Sequence, residues 1–147
     1  MFLAAPAMVT ARASRPGLLC AFFTGFAWAG LLLAAVGDLT KSLVKRELGA
    51  DALVVTGVFQ YFRHPNYTGE QILWTCSMAA GFAAAMAGGW KALPASAGWL
   101  AASVVGWAGI FFVLAKATAT LEAKQAKRFE AFQKWRASAW GGICLPS

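Results

Sequence analysis

The chain has 147 residues, of which 59% are hydrophobic and only 13% charged, and its formal net charge is +7 at pH 7. Soluble domains usually carry about 25% charged residues, so this composition argues against a soluble globular protein. A basic balance alone would be compatible with nucleic-acid binding, but here the charges stand between long apolar stretches. That arrangement favours a lipid bilayer as the partner and argues against nucleic acid.

Residues 1–17 are predicted to form an irregular or interfacial lead-in that ends at Pro16-Gly17. The lead-in contains two arginines and no acidic residue, which would also suit a short targeting segment. A signal peptide is disfavoured because the apolar run that follows is long enough to cross a membrane. The organelle stays open.

Three apolar stretches are predicted to be transmembrane helices. Residues 18–36, 71–90 and 92–115 contain no Asp, Glu, Lys, Arg or His and are 19, 20 and 24 residues long. About 20 apolar residues cross the hydrocarbon layer as a helix. The sequence therefore predicts an all-α integral membrane protein, with residues 1–147 as a single membrane domain. The alternative is that these are buried core helices of a soluble protein.

The segments beside these spans contain helix start and stop signals. The first helix can continue beyond the membrane to Arg46, with Gly49 as its stop. Residues 50–65 are an unusually apolar loop, predicted to lie on the membrane surface or under the helices. Pro65 and Pro94 suit the first position of the second and third helices, because proline lacks the N–H that would have no partner there.

The tail over residues 118–138 is predicted to be an amphipathic helix in the membrane interface. Apolar residues recur near helical spacing among charged ones, at Leu121, Phe129, Phe132 and Trp135. Such a helix lies with its apolar face in the interface. Packing of this helix on a partner loop is an equally valid and compatible interpretation.

The basic residues are unevenly distributed between the two predicted sides of the membrane. Three of them share the side of the N-terminus and ten share the side of the first loop and the C-terminal tail. Because cytoplasmic segments carry the excess of Lys and Arg, we expect the C-terminus on the cytosolic side, or its matrix or stromal equivalent. The three cysteines are far apart and lack metal-ligand spacing, so no metal site is predicted.

One segment concentrates polar groups where the second helix enters the membrane. It runs Arg63-His64-Pro65-Asn66-Tyr67-Thr68-Gly69-Glu70. A helix N-terminus suits a phosphate or carboxylate, Arg63 adds a fixed charge, and an ionisable residue at the depth of Glu70 is a functional candidate. The structural alternatives stay open. Arg63 would then contact lipid phosphate, His64 would cap the helix, and Glu70 would pair with a cation, namely Lys45, Arg46 or Arg63.

Residues 56–70, from Thr56-Gly57 through the RHPNYTGE segment, resemble the signature of the steroid 5-alpha-reductase-like membrane proteins. The closest branch is an uncharacterised one grouped with them, and isoprenylcysteine carboxyl methyltransferases are more distant relatives. Residues 37–42 and the basic, aromatic tail are also similar to that group. The resemblance covers about residues 20 to 140 and implies a cofactor pocket on the cytosolic side. The corresponding pocket binds NADPH in the reductases and S-adenosylmethionine in the methyltransferases, so either cofactor is implied for this chain. The residues carried over to that pocket are Arg63, His64, Asn66, Tyr67 and Glu70.

The resemblance leaves three functional hypotheses. The first is the cofactor-binding half of an NADPH-dependent oxidoreductase of lipid metabolism, completed by a second copy or another membrane subunit. The related reductases are longer and have additional spans before this region, so the chain is expected to be incomplete on its own. Its catalytic residues are unknown, with Tyr67 and Glu70 as candidate acids. The second is a non-catalytic structural subunit of a membrane complex, which binds no cofactor. The third is an S-adenosylmethionine-dependent methyltransferase of a lipid or prenylated substrate.

Overall fold

A computed structural model describes residues 15–89 and 93–142. Within these ranges, four α-helices follow one another: α1 (Arg15–Leu48), α2 (Pro65–Ala87), α3 (Leu93–Arg128) and α4 (Phe132–Ser138). A short 3-10 helix, Gly57–Gln60, lies between α1 and α2. No strand occurs within the described ranges, and an isolated parallel bridge pairs Phe62 with Trp140. The predicted all-α class is therefore confirmed. Most of the predicted lead-in over residues 1–17 lies outside the described residues.

Among the described helices, two are long and apolar enough to cross a membrane, over Gly17–Leu48 in α1 and Pro94–Arg128 in α3. Many of their large apolar side chains are exposed, among them Phe22, Phe26 and Val105. Exposure of this kind would be unfavourable in water and is expected for helices that face lipid. Residues 71–87 of the predicted span over residues 71–90 form the later part of α2, which is not one of these two helices, and Trp90 lies outside the described residues.

The starts of α2 and α3 and the end of α1 agree with the local signals in the sequence. The start of α1 does not, because the helix begins at Arg15 and includes Pro16 and Gly17, which were predicted to end the lead-in. α2 begins at Pro65 and α3 one residue before Pro94. α1 continues beyond residue 36 and ends at Leu48. Gly49 follows with a φ of 98°, a conformation that glycine adopts without a Cβ clash.

The tail differs from its prediction. The third helix does not end near Ala115, and residues 118–138 do not form a separate helix. α3 continues without a break to Arg128, because the residues after Ala115 are mostly good helix formers and include neither Gly nor Pro. A turn at residues 129–131 then leads into α4, which has only seven residues.

Packing divides the chain into two compact units. The first comprises the described residues within Met1–Ala29 and Ile72–Ile110, and the second comprises those within Gly30–Gln71 and Phe111–Ser147. In the first unit, Cys20 of α1 packs with Ala80 and Ala83 of α2. The indole N–H of Trp107 in α3 donates a hydrogen bond to Thr75 Oγ1 in α2 at 2.9 Å. This bond provides the partner that an indole in an apolar environment requires.

In the second unit, glycines allow α1 and α2 to approach closely. A Cβ placed on Gly69 would lie 2.5 Å from the backbone N of Ala34 and the backbone O of Gly30. A Cβ on Gly37 would lie 2.9 Å from the backbone N of Asn66. Small residues permit such backbone contacts, and here they fix the start of α2 against α1.

The apolar loop after α1 also contributes to the core of this second unit. Val54 and Phe59 are buried, as is Phe132 of α4. The Trp135 indole donates a hydrogen bond to the carbonyl of Phe59 at 2.9 Å. The α4 part of the tail therefore packs on this loop, in agreement with the alternative interpretation of the tail.

Candidate functional site

The start of α2 carries a buried cluster of charged side chains in the second unit. Arg63 and His64 immediately precede Pro65, and their side chains are 1% and 5% exposed. Their shared partner is Glu122, which α3 supplies from the same inward face as Thr118 and Leu114. Spacing of four residues places these three side chains on one side of a helix.

Both carboxylate oxygens of Glu122 are bonded. Arg63 Nη1 lies 3.2 Å from both Oε1 and Oε2, and His64 Nε2 lies 3.0 Å from Oε1. Arg136 Nε of α4 lies 3.5 Å from Oε2. We call these four residues, Arg63, His64, Glu122 and Arg136, the Glu122 cluster. It links α3, α4 and the residues before α2 through one carboxylate.

The protonation of His64 follows from this environment. Burial lowers the pKa of His64, and the positive charges of Arg63 and Lys41 lower it further, against the opposing effect of Glu122. The imidazole is therefore neutral at pH 7. Because a carboxylate only accepts hydrogen bonds, the neutral ring carries its proton on Nε2 and donates it to Glu122. The Nδ1 lone pair is then left as an acceptor.

Two glycines after α4 cover the cluster. The backbone N–H of Arg63 donates to the carbonyl of Trp140 at 2.8 Å. A Cβ on Gly141 would collide with the guanidinium of Arg63, and one on Gly142 would lie 2.7 Å from Thr68 Oγ1. Gly142 also has a φ of 97°, which other residues rarely adopt. The Gly-Gly pair thus allows the chain to pass directly over Arg63 and Thr68.

The remaining predicted site residues lie around the start of α2. Asn66 is buried. The ring of Tyr67 stacks on His64, with centroids 5.7 Å apart and planes at 16°. Burial and the nearby charge of Asp38 raise the pKa of Glu70. No ion pair among residues 15–89 and 93–142 includes Glu70, so the alternative in which it pairs with Lys45, Arg46 or Arg63 is not found there.

Sequence reasoning missed two members of the cluster, Glu122 and Arg136. A signal for Glu122 was present, because it is the one acidic residue between positions 92 and 128, among several basic residues. A single carboxylate on a helix otherwise rich in lysine and alanine is a natural partner for a buried arginine. Arg136 had no comparable signal. Its place in the cluster depends on the turn before α4.

The family described as "Protein of unknown function (DUF1295)" matches residues 1–138. The chain belongs to this family. This match agrees with the prediction that the chain belongs to an uncharacterised family. No curated protein and no solved structure matches the chain.

Proposed function

We propose that this DUF1295 protein is a multi-pass membrane protein that binds NADPH at the Glu122 cluster. It would act as the cofactor-binding part of a reductase of lipid-like substrates. Residues 71–87 of α2 would form a third membrane span beside those in α1 and α3, and the C-terminal tail would face the cytosol or its organellar equivalent. The proton donor and the substrate chamber would come in part from a second copy or another subunit.

The observation that carries this proposal is the excess of positive charge at the cluster. Arg63 and Arg136 both contact a single carboxylate, Glu122. Lys41 is close enough that its charge lowers the pKa of His64. Around Glu122 and His64, the cations Arg63, Arg136 and Lys41 outnumber the single anion, which favours an additional anionic partner, and the N-terminus of α2 adds the positive end of a helix dipole. The carboxylates of Asp38 and Glu70 act on the neighbouring Tyr67, so this excess of positive charge is local to the Glu122 side of the site.

The members of the cluster are suited to different roles toward such a ligand. The Arg63 side chain is buried and bonded to Glu122, so it holds the site in place. Arg136 has a side chain that is 38% exposed, so its guanidinium is available to a phosphate oxygen. Tyr67 is half-buried and stacks on His64. Its aromatic ring is a surface on which a nicotinamide or adenine ring could stack.

Charge also favours NADPH over S-adenosylmethionine. NADPH carries several phosphate charges, whereas S-adenosylmethionine combines a sulfonium cation and an ammonium with one carboxylate. A site with excess positive charge attracts the first more strongly than the second. Together with the resemblance of the RHPNYTGE segment to steroid 5-alpha-reductase-like proteins, this supports the reductase hypothesis over the methyltransferase one.

The test is equilibrium binding of NADPH to the full chain in lipid nanodiscs, followed by nicotinamide fluorescence. We expect saturable binding by the wild type and at least a tenfold loss in Arg136→Gln, since a charged hydrogen bond is worth about 1.5–3 kcal/mol. Arg46→Gln removes an exposed arginine near the end of α1 and is the matched control. Binding of S-adenosylmethionine instead would support the methyltransferase. Binding of neither by the folded chain would support the structural subunit.

Activity is the second measurement. We expect no oxidation of NADPH by the chain alone with a panel of enones. Catalysis needs donor, acceptor and proton source in near-attack geometry, and three helices are few to enclose a lipid-like acceptor. Turnover by the isolated chain that Glu70→Gln abolishes would contradict the proposed need for a partner and identify Glu70 as the acid.

A further inference from the structure

The polar end of α3 carries a basic surface on the side away from the Glu122 cluster. Six residues of α3 line a surface concavity of about 450 Å³ there, and we call them the basic face: Lys116, Ala119, Thr120, Ala123, Lys124 and Lys127. All six are exposed. Leu114, Thr118 and Glu122, by contrast, are buried. At 3.6 residues per turn, Thr120 and Thr118 lie on roughly opposite sides of the helix.

The shape of the basic face follows from its sequence. Lys116, Thr120, Lys124 and Lys127 recur at spacings of four and three residues, so they form one row on the helix. The small side chains of Ala119, Thr120 and Ala123 leave a depression between the longer lysine side chains. α3 contributes no acidic side chain to this face, because its only acid is Glu122. The three lysine charges are therefore uncompensated by α3 itself.

The position of the basic face along the helix indicates its partner. Lys116 directly follows the apolar stretch over residues 92–115. Its Nζ lies 5.7 Å from the ring centroid of Phe112, which is itself 64% exposed. The first cation after an apolar span lies at the level of the lipid headgroups, and lysine side chains extend along apolar surface to reach them. Anionic headgroups are therefore available at high local concentration where this face begins.

We propose that the basic face binds the headgroup of an anionic phospholipid. The phosphate would lie over Ala119 and Ala123, with Lys116 and Lys124 on either side and the Thr120 hydroxyl as a hydrogen-bond donor. The acyl chains would lie along the exposed apolar surface of α3 that includes Phe112. This site is separate from the proposed cofactor site, and neither depends on the other.

The first test compares lipid preference in the full chain. The chain is reconstituted in phosphatidylcholine nanodiscs with a minor fraction of phosphatidylglycerol, and bound lipid is measured by native mass spectrometry. We expect phosphatidylglycerol to be retained over phosphatidylcholine. Lys116→Gln/Lys124→Gln should weaken that retention by about fivefold for each lysine removed. Arg46→Gln/Lys134→Gln removes the same charge from exposed positions elsewhere and should leave retention unchanged. An equal loss in both variants would show diffuse attraction and overturn the proposal.

A second pair of variants tests the depression directly. Ala123→Glu places a carboxylate where the lipid phosphate is expected, and Ala123→Gln places a neutral side chain of the same size there. Retention should fall at least fivefold more in Ala123→Glu than in Ala123→Gln. Equal retention in the two would refute the site. Complete displacement of the lipid by soluble glycerol 3-phosphate would also overturn it, because the site would then bind the free anion rather than a lipid.

Discussion

Replacing Glu122 by glutamine should destabilise the protein more than any exposed acid-to-amide substitution. The change keeps the size of the side chain and removes its charge. Arg63 would keep its charge in a site where its side chain is 1% exposed, without the carboxylate that now compensates it. Removing one partner of a buried ion pair is costly because the remaining charge stays away from water.

The magnitude follows from the geometry of the cluster. Arg63 Nη1 and Glu122 Oε1 are 3.2 Å apart, and at an effective dielectric constant of 20 two unit charges at that distance attract by roughly 5 kcal/mol. The glutamine oxygen keeps part of this as an ordinary hydrogen bond. We therefore expect the free energy of unfolding to fall by about 3–5 kcal/mol, a large share of the roughly 5–15 kcal/mol typical of folded proteins.

The assay is denaturant unfolding of the full chain in mixed micelles, followed by tryptophan fluorescence. Asp51→Asn is the matched control, because Asp51 also pairs with an arginine, at 2.9 Å from Arg128 Nη1, but both side chains are more than half exposed. It should have no measurable effect on stability. The double variant Arg63→Met/Glu122→Met removes both charges and should recover part of the loss. A loss below about 1 kcal/mol in Glu122→Gln, as for exposed pairs, would refute the reasoning.

Two further predictions concern the start of α2. Gly69→Ala should strongly reduce the free energy of unfolding, because its Cβ would lie 2.5 Å from the backbone N of Ala34. Gly81→Ala is the control, since the space around Gly81 is open, and it should be neutral or stabilising by up to about 1 kcal/mol. Equal effects of the two substitutions in thermal unfolding would show that the helices do not approach this closely. For His64, burial lowers the pKa in the folded state, so the unfolded chain takes up the proton first as the pH falls below about 6.5. The contribution of His64 to the stability of the folded state is therefore present above that pH and is lost as the pH falls below it. Because the chain has one histidine, His64→Gln should flatten this part of the stability–pH profile. The raised pKa of Glu70 contributes the opposite slope in both proteins, so the quantity to measure is the difference in unfolding free energy between the wild type and His64→Gln at each pH. An unchanged profile in His64→Gln would contradict a depressed pKa.

Local features of the fold could be predicted from the sequence because their causes are local. Pro65 starts α2 because the proline ring and its missing N–H suit a first helical position. Gly49 follows the last residue of α1 because it adopts a positive φ at little cost. The two helices that are long and apolar enough to cross a membrane, α1 and α3, could be predicted from local composition, because the hydrophobicity of a 20-residue window depends on no distant contact.

The partners of the charged residues could not be predicted in the same way. The sequence offers several cations for each acid, and helical spacing constrains only pairs within one helix. The pairing of Arg63 with Glu122 joins residues 59 positions apart. It exists because α3 continues past residue 115 and turns Glu122 toward the start of α2. Only the packed structure distinguishes this pairing from a pairing of Arg63 with Glu70.

The tail shows most clearly where sequence reasoning ends. The apolar spacing over residues 118–138 is compatible with one continuous helix, and no Gly or Pro interrupts it. The chain nevertheless turns at residues 129–131, and Phe132 becomes completely buried while Arg136 reaches Glu122. Helical periodicity determines which side chains share a face. Whether the helix continues or turns depends on the free energy of burying Phe132 and pairing Arg136, and those contacts exist only in the tertiary structure.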